Sequence, residues 1–295
     1  MSNIVDNTFV HWAVTRDLIR HRREADEIAK ALGETPQGPP WSDDEILNAH
    51  RFCNVSREDD RTTRWIKTNI RDPFNEEASP EVLFQAICLA RFVNLPSTLG
   101  ELLANGSLSP GGVILEKVVE TVCELQETGQ KSFSAAYMVR SETNKESLAY
   151  GKGKIAYICM ILDKTRLPRA KTREGFVEEL STQYGWGTFM AGQVAADATY
   201  THLLADAPDH LTWAPLGPGA MKGMNRALGR PINASISQEE YLRVGRQQME
   251  MLPPELVMGR NLTLHDVASN VNCETSKYLR IKHGEGTTRR YQACV

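Results

Sequence analysis

Between Arg51 and Trp65 the chain reads Arg-Phe-Cys-Asn-Val-Ser-Arg-Glu-Asp-Asp-Arg-Thr-Thr-Arg-Trp, four arginines and three carboxylates in one short run. Guanidinium groups beside carboxylates can grip an anion and move or orient a proton. Just before it, Trp41-Ser42-Asp43-Asp44-Glu45 has the makings of a capping box, with Ser42 as cap and Glu45 completing it. That signal and the following periodicity predict a helix over 42–69. On such a helix Arg51, Asn54, Glu58, Arg61 and Trp65 recur at spacings of three and four and line one stripe. Phe52, Val55, Thr62 and Ile66 form an adjacent, largely apolar stripe. A solvated face laced with ion pairs is the ordinary reading of a charge run. Asn54 and Trp65 on the charged stripe, with Phe52 and Val55 holding it near the core, favour a site-lining helix.

Two more segments carry chemistry. In Thr212–Arg226, Gly217 and Gly219 flank Pro218 and let backbone approach a ligand. The helix expected from Ala220 offers its first N–H groups to an anion. Lys222 and Arg226 add two cations four residues apart, and the set suits a phosphate; a plain loop and helix cap would read the same way. Near the C-terminus, Glu274, Lys277 and Arg280 share one helical face beside Cys273 and Tyr278. A carboxylate held among cations could act as a base or position an amine, although an exposed, ion-paired helix has the same pattern.

Charge and cysteines bound the rest. The chain has 295 residues and a net charge of −3, ordinary for a soluble globular protein and no announcement of a nucleic-acid binder. From Arg140 to Arg173, however, nine Lys/Arg face three Asp/Glu. Lys152, Lys154, Arg169 and Lys171 from this stretch are the candidate DNA contacts. The stretch from Cys273 to the end, which carries Arg289-Arg290-Tyr291, is a second basic patch. None of the six cysteines forms a C-x-x-C pair or a zinc-spaced group. No metal or cofactor is expected, and free thiols point to a reducing, cytoplasmic compartment. The first residues lack the basic and apolar regions of a signal peptide, and no apolar run approaches a membrane span.

Helical periodicity dominates and strand-like alternation is scarce. Helices are expected over 10–32, 42–69, 80–93, 98–104, 113–128, 154–165, 173–184, 188–205, 220–228 and 238–251, with a last one capped at Thr263-Leu264-His265-Asp266 and running to Lys282. The expected fold is all-α and bilobal: an N-terminal helix and linker over 1–40, then a single helical catalytic domain over 41–295. The pair of helices around Gly185-Trp186-Gly187 resembles the helix-hairpin-helix of DNA glycosylases, whose hairpin amides point at a DNA phosphate. Asp197 falls roughly where such enzymes can place a carboxylate. An ordinary tight helical turn fits the same residues.

Three blocks in order, R-F-x-N-V-x-R-E-x-D-R-x-T-x-W at 51–65, W-A-x-x-G-P-G-A-x-x-G-x-N-R at 213–226 and C-E-x-x-K-Y-x-R-x-K-x-G-E-G at 273–286, resemble a family of bacteriophage thymine-hypermodification proteins. These are the alpha-glutamyl/putrescinyl thymine pyrophosphorylases, or amino acid:DNA transferases. Related helical domains accompany 5-hydroxymethyluracil DNA kinases. The resemblance runs from about Ser42 to Tyr291. Ser56 and Asp59 depart from an expected Tyr and Leu or Ala. Asn272 and Thr275-Ser276 stand where Leu and Phe-Asp are expected.

The resemblance implies a two-step logic. A partner kinase phosphorylates hydroxymethyluracil in phage DNA, and this chain displaces phosphate or pyrophosphate with an amino acid or polyamine nitrogen. The base must leave the helix stack, the leaving group needs cations and N–H donors, and the amine needs a base. On this reading Arg57 and Arg61 bind the leaving phosphate or an amino-acid carboxylate, and Glu58 orients or deprotonates the amine, with Asp60, Asp197 and Glu274 as competitors. Asn54 reads the uracil edge. Gly217, Gly219 and Arg226 hold phosphate; Lys277 and Arg280 neutralise it or the DNA backbone; Arg51, Trp213 and Tyr278 complete the substrate-binding set. Arg57, Glu58 and Arg61 are expected to meet Arg226 and Lys277 around one cleft. Thiol addition to the uracil ring by Cys53 or Cys273 is a further route. Two other classes stay open: a DNA glycosylase-like enzyme acting on modified uracil, and a non-catalytic helical DNA-binding module partnering the kinase. The chain has no G-x-x-x-x-G-K-[ST] loop, which argues against its being the kinase itself.

Overall fold

Amphipathic periodicity becomes helix through most of the chain, as a computed structural model shows for residues 4–5, 7–134, 136, 151 and 153–285. Lys152, Arg289, Arg290 and Tyr291 lie outside the described residues. The helix α1 (Thr8–Ala31) turns Phe9, Trp12, Ala13, Arg16 and Ile19 inward at spacings of three and four. It ends where Gly33 takes φ +75°, a conformation glycine adopts without cost. The single-turn helix α2 (Glu45–Ala49) follows. Its cap is Asp44, whose Oδ1 accepts the Leu47 N–H at 2.9 Å; Ser42, the expected cap, instead turns to Asn48.

A long helix, α3, covers 61–77 in three parts: Arg61–Ile66, a wide turn over Lys67–Arg71, and Asp72–Glu77. Pro73 explains the wide turn. It has no N–H to donate and its ring crowds the carbonyl four residues back, so the helix widens ahead of it. Next come α4 (Pro80–Val93), α5 (Pro96–Ala104), α6 (Leu115–Glu127), α7 (Lys154–Lys164), α8 (Arg173–Ser181) and α9 (Thr188–Ala198). Between α5 and α6, β1 (Leu108–Ser109) pairs antiparallel with β2 (Gly112–Val113), the one ladder among the described residues. The chain closes with α10 (Pro218–Ala227), α11 (Gln238–Met251), α12 (Pro254–Gly259) and α13, which covers 265–282 as a wide turn His265–Val271 and a regular part Asn272–Lys282. The protein is all-α.

The helices sort into two compact units. One combines the described residues of Met1–Asp60 and His210–Val295. Its core packs Phe9, Trp12 and Ile19 of α1 with Leu47, Val55, Val267, Val271, Tyr278 and Leu279, so the connector at 38–40 lies inside this unit. A neighbouring cluster joins Met224, Tyr241, Val244, Leu264 and Ala268. The other unit is Arg61–Asp209. Its core includes Leu83, Phe84, Ile87 and Phe92 of α4 with Ile158, Ile161, Phe176 and Val194. Buried at its centre, Arg91 holds both oxygens of Asp197, with Nη2 to Oδ1 at 2.6 Å, and Arg71 approaches the same carboxylate at 3.7 Å. No helix among the described residues is long and apolar enough to cross a membrane.

Candidate functional site

Residues 50–60 are not the middle of a helix. The predicted helix over 42–69 breaks at His50, which is extended (φ −116°, ψ 151°), and α3 begins only at Arg61. Every backbone N–H and C=O kept from water needs a partner, and here side chains from distant elements supply them. Lys277 Nζ donates to the Arg51 carbonyl. Arg16 donates to the carbonyls of Cys53 (3.0 Å) and Phe52 (3.4 Å). The Cys53 N–H donates to Glu274 Oε2 at 3.0 Å, and the Asn54 N–H to Asp60 Oδ1 at 2.7 Å. Asn270 Nδ2 donates to the carbonyls of Asn54 (2.9 Å) and Val55 (3.3 Å), and the Arg57 N–H reaches Asp266 Oδ1 at 3.0 Å. Ser56 then caps a single tight turn, Arg57–Asp59, by accepting from the Glu58 N–H. The single stripe expected for Arg51, Asn54, Glu58, Arg61 and Trp65 therefore does not form. Trp65 packs in the other unit, 3.7 Å from where a side chain on Gly100 would begin.

The helix α13 is the frame of the site. Its cap is reciprocal, as the sequence predicts: Asp266 Oδ2 accepts from the Thr263 N–H (3.0 Å) and hydroxyl (2.8 Å), and Thr263 Oγ1 accepts from the Asp266 N–H (3.3 Å). The same carboxylate's other oxygen holds Arg57. Buried Asn272 exchanges two hydrogen bonds with Gln248 of α11, at 3.0 and 2.7 Å. Against this helix lies α10, and two glycines set how closely. A Cβ on Gly223 would sit 2.0 Å from the Asn272 carbonyl oxygen, and one on Gly219 would sit 2.5 Å from Cys273 Sγ. Gly219 thus serves helix packing. The space beside Gly217 is open, and no side chain caps the first N–H groups of α10.

The electrostatics single out Asp60. Burial pushes its carboxyl up to about 7, against the Asn54 N–H that favours its charged form; Glu274 raises it further, and Arg16 and Arg57 pull it back. A carboxyl tuned near neutrality can take and return a proton at working pH. Cys53 is raised well above the usual thiol range by burial and by Asp60 and Glu274, and burial takes Cys273 up to about 11. Both stay protonated at neutral pH, the wrong form for thiol addition. Lys277 lies 3.4 Å from Glu274 and over the Phe52 ring at 4.7 Å. Tyr278 is a structural tie: its hydroxyl donates to Asp44 Oδ2 at 2.8 Å and its ring packs beside Phe52 and His11.

One unit therefore brings together Asn54, Arg57, Glu58, Asp60, Glu274 and Lys277, with Arg51 exposed at the edge. Arg226 is not among them. It sits in the last turn of α10, about 10 Å along the axis from Gly219 at 1.5 Å per residue, and pairs with Glu285. Trp213 is a buried core residue and Arg280 is exposed. Arg61 is exposed and opens the other unit. There, Asp197 is fully buried, with both oxygens bonded to Arg91. In the turn after α8, Gly185 takes φ +79° and presses on Ile161. Trp186 is buried, its Nε1 donating to Thr165 Oγ1 at 2.7 Å and its ring 4.8 Å from that of Phe92, while Gly187 stays exposed. Arg169 and Lys171 are exposed; Lys154 lies over the Phe133 ring at 4.3 Å. Arg16, Asp266 and Asn270 escape sequence reading because each acts on a segment more than thirty residues away. Only the cap signal at Thr263 hinted at Asp266.

The family described as 5-hmdU DNA kinase, helical domain, matches residues 3–288. No curated protein and no solved structure matches the chain.

Proposed function

The chain belongs to the family of 5-hmdU DNA kinase helical domains, and we propose that it is a DNA-modifying transferase acting on phosphorylated 5-hydroxymethyluracil. The supporting observation is the carboxyl of Asp60, raised to about 7 in a segment that side chains of α1 and α13 hold in place. In the proposed step the bond from the base's methylene carbon to the phosphate oxygen breaks, and its electron pair leaves with phosphate or pyrophosphate. An amine nitrogen of an amino acid or polyamine forms the new bond, and its proton passes to the Asp60 carboxylate. Lys277, Arg57 and the open first turn of α10 at Gly217 are assigned to the leaving group. Asn54 is assigned to the edge of the extruded base. Arg51 and Arg280, both exposed, are assigned to the DNA backbone. The turn at the exposed Gly185 and Gly187, the helix-hairpin-helix element of this reading, is assigned to a backbone phosphate together with Lys154, Arg169 and Lys171. A 5-hydroxymethyluracil DNA kinase acts upstream, in a phage-infected host cytoplasm.

The test is direct. Duplex DNA carrying 5-phosphomethyluracil, and in a second arm 5-pyrophosphomethyluracil, is incubated with the protein and a mixture of amino acids and polyamines, and its nucleosides are analysed by mass. A nucleoside carrying one amine in place of the phosphate or pyrophosphate supports the reading. Intact substrate in both arms would falsify it, and abasic sites would replace it with a glycosylase-like activity. A non-catalytic module that delivers DNA to the kinase is the second reading. It is favoured by how completely the backbone of 50–60 is bonded within the fold, and it requires that Asp60→Asn leave every activity of the kinase mixture unchanged.

A further inference from the structure

Arg16 buries a guanidinium, with Arg23 as a like charge near it and Asp60 and Glu274 as opposite ones. It is 7% exposed, on the face of α1 that buries Trp12, Ala13 and Ile19. Among the described residues no carboxylate forms an ion pair with it, and its Nη1 has no hydrogen-bond partner. A buried charge without direct neutralisation costs stability, so its place here calls for a compensating role. Its Nε and Nη2 both point at segment 50–60, donating to the carbonyls of Cys53 and Phe52. These carbonyls flank the N–H that Glu274 accepts, so the segment is gripped from α1 on one side and α13 on the other.

We propose that Arg16 is a positioning residue of the site: it fixes the backbone at Phe52 and Cys53 and places a permanent positive charge beside Asp60. This rests on the reading of Asp60 as the proton acceptor. The groups acting on Asp60 come from three elements. Arg16 belongs to α1, Glu274 to α13, and the Asn54 N–H and Arg57 to the segment itself. Arg16 and Arg57 are the cations among them, and Arg16 is the one whose guanidinium also holds the segment's backbone. Its charge opposes the upward push of burial and of Glu274, and so keeps a usable fraction of Asp60 ionised near neutral pH.

The experiment compares Arg16→Gln and Arg16→Lys in the full chain. Asp60 is titrated through its carboxyl carbon by NMR, and exchange of the Cys53 and Asn54 amides is followed in parallel. Neither readout needs enzymatic activity, so a failed transfer assay and a failed role for Arg16 are told apart. In Arg16→Gln the Asp60 titration should move up by roughly one unit, with about tenfold faster amide exchange. Arg16→Lys keeps the charge but cannot hold two carbonyls, so the titration should stay close to wild type while exchange still accelerates. Where transfer is measurable, the acid limb of the rate profile should follow the titration in both variants. An unmoved Asp60 titration in Arg16→Gln overturns the proposal. If Arg16→Gln does not fold, wild-type amide protection in Arg16→Lys overturns it.

Discussion

The backbone N–H of Cys53 donates to Oε2 of Glu274 at 3.0 Å, joining residues 221 positions apart in the chain. The carboxylate so used also helps set the protonation of Asp60. Two variants separate these roles. Glu274→Gln keeps an oxygen for the Cys53 N–H but removes the negative charge, so the Asp60 titration should move down, with little change in melting temperature. Glu274→Ala leaves the N–H without its partner and should cost about 1–3 kcal/mol. Equal melting temperatures for the two variants would show that the bond to Cys53 contributes nothing.

Asp60 gives a pH dependence whose sign is fixed. Its folded value, about 7, is raised from 3.8. Between those values the native state holds a proton that the unfolded chain has lost, so stability declines as pH rises through this window and levels off above it. Asp60→Asn removes the penalty. The variant should melt above wild type at pH 8, and the gap should narrow towards pH 5. Transfer should fall by about 10²–10⁴-fold, the usual contribution of a general base. A gap that stays constant from pH 8 to pH 5 would mean that Asp60 is ionised throughout and would sink the assignment.

Glu58 is the base that the sequence motif puts first, and the fold favours its neighbour. Glu58 lies in the single turn Arg57–Asp59, partly exposed, whereas Asp60 bonds the Asn54 N–H and faces Glu274 and Arg16. Glu58→Gln should therefore lower the transfer rate by less than Asp60→Asn does, with the acid limb of the pH profile unchanged. A larger loss in Glu58→Gln, partly rescued by raising pH, would restore Glu58 as the proton acceptor.

What the sequence made legible follows from how local each signal is. The helix Gln238–Met251 begins after a serine cap and carries its own apolar face, and its bounds are read correctly. The Thr263–Asp266 cap is likewise local. Segment 50–60 has helical spacing too, but its conformation is decided by Arg16, Asp266, Asn270, Glu274 and Lys277, none of which lies within thirty residues of it. Tertiary hydrogen bonds override periodicity there, and the same override hid Arg16. Pro254–Gly259 is not legible in the sequence, because a helix of six residues shows too little of its period. The sequence of its own segment makes Gly219 look ligand-facing, yet a neighbour absent from that segment, Cys273, accounts for it.

The two glycines of α10 make separable demands. A methyl group at Gly219 meets the end of the Cys273 side chain, which can rotate or be shortened; at Gly223 it meets the Asn272 backbone carbonyl, which cannot. Gly219→Ala should destabilise by about 1–3 kcal/mol, and adding Cys273→Ala should restore most of that loss. Gly223→Ala should cost more, with no rescue from Cys273→Ala. Equal behaviour of the two glycine variants in thermal melts, alone and with Cys273→Ala, would contradict the packing of α10 on α13.

Arg169 and Lys171 offer the cleanest test of the DNA path. Both are exposed on the connector before α8, and neither side chain is part of an apolar core. Lys154 differs: it rests on the Phe133 ring, and burial lowers its affinity for the proton. Its replacement would therefore mix lost packing with lost charge. If Arg169 and Lys171 each neutralise a phosphate, each Ala variant should weaken binding of duplex DNA and reduce the slope of log affinity against log salt by about 0.9. The double variant should lose about twice that, because the sites act through separate phosphates, while its melting temperature stays at the wild-type value. Binding and slope are read by fluorescence anisotropy across a salt series. An unchanged slope in the double variant removes this connector from the DNA path and moves the search to the exposed cations Arg51 and Arg280 of the other unit.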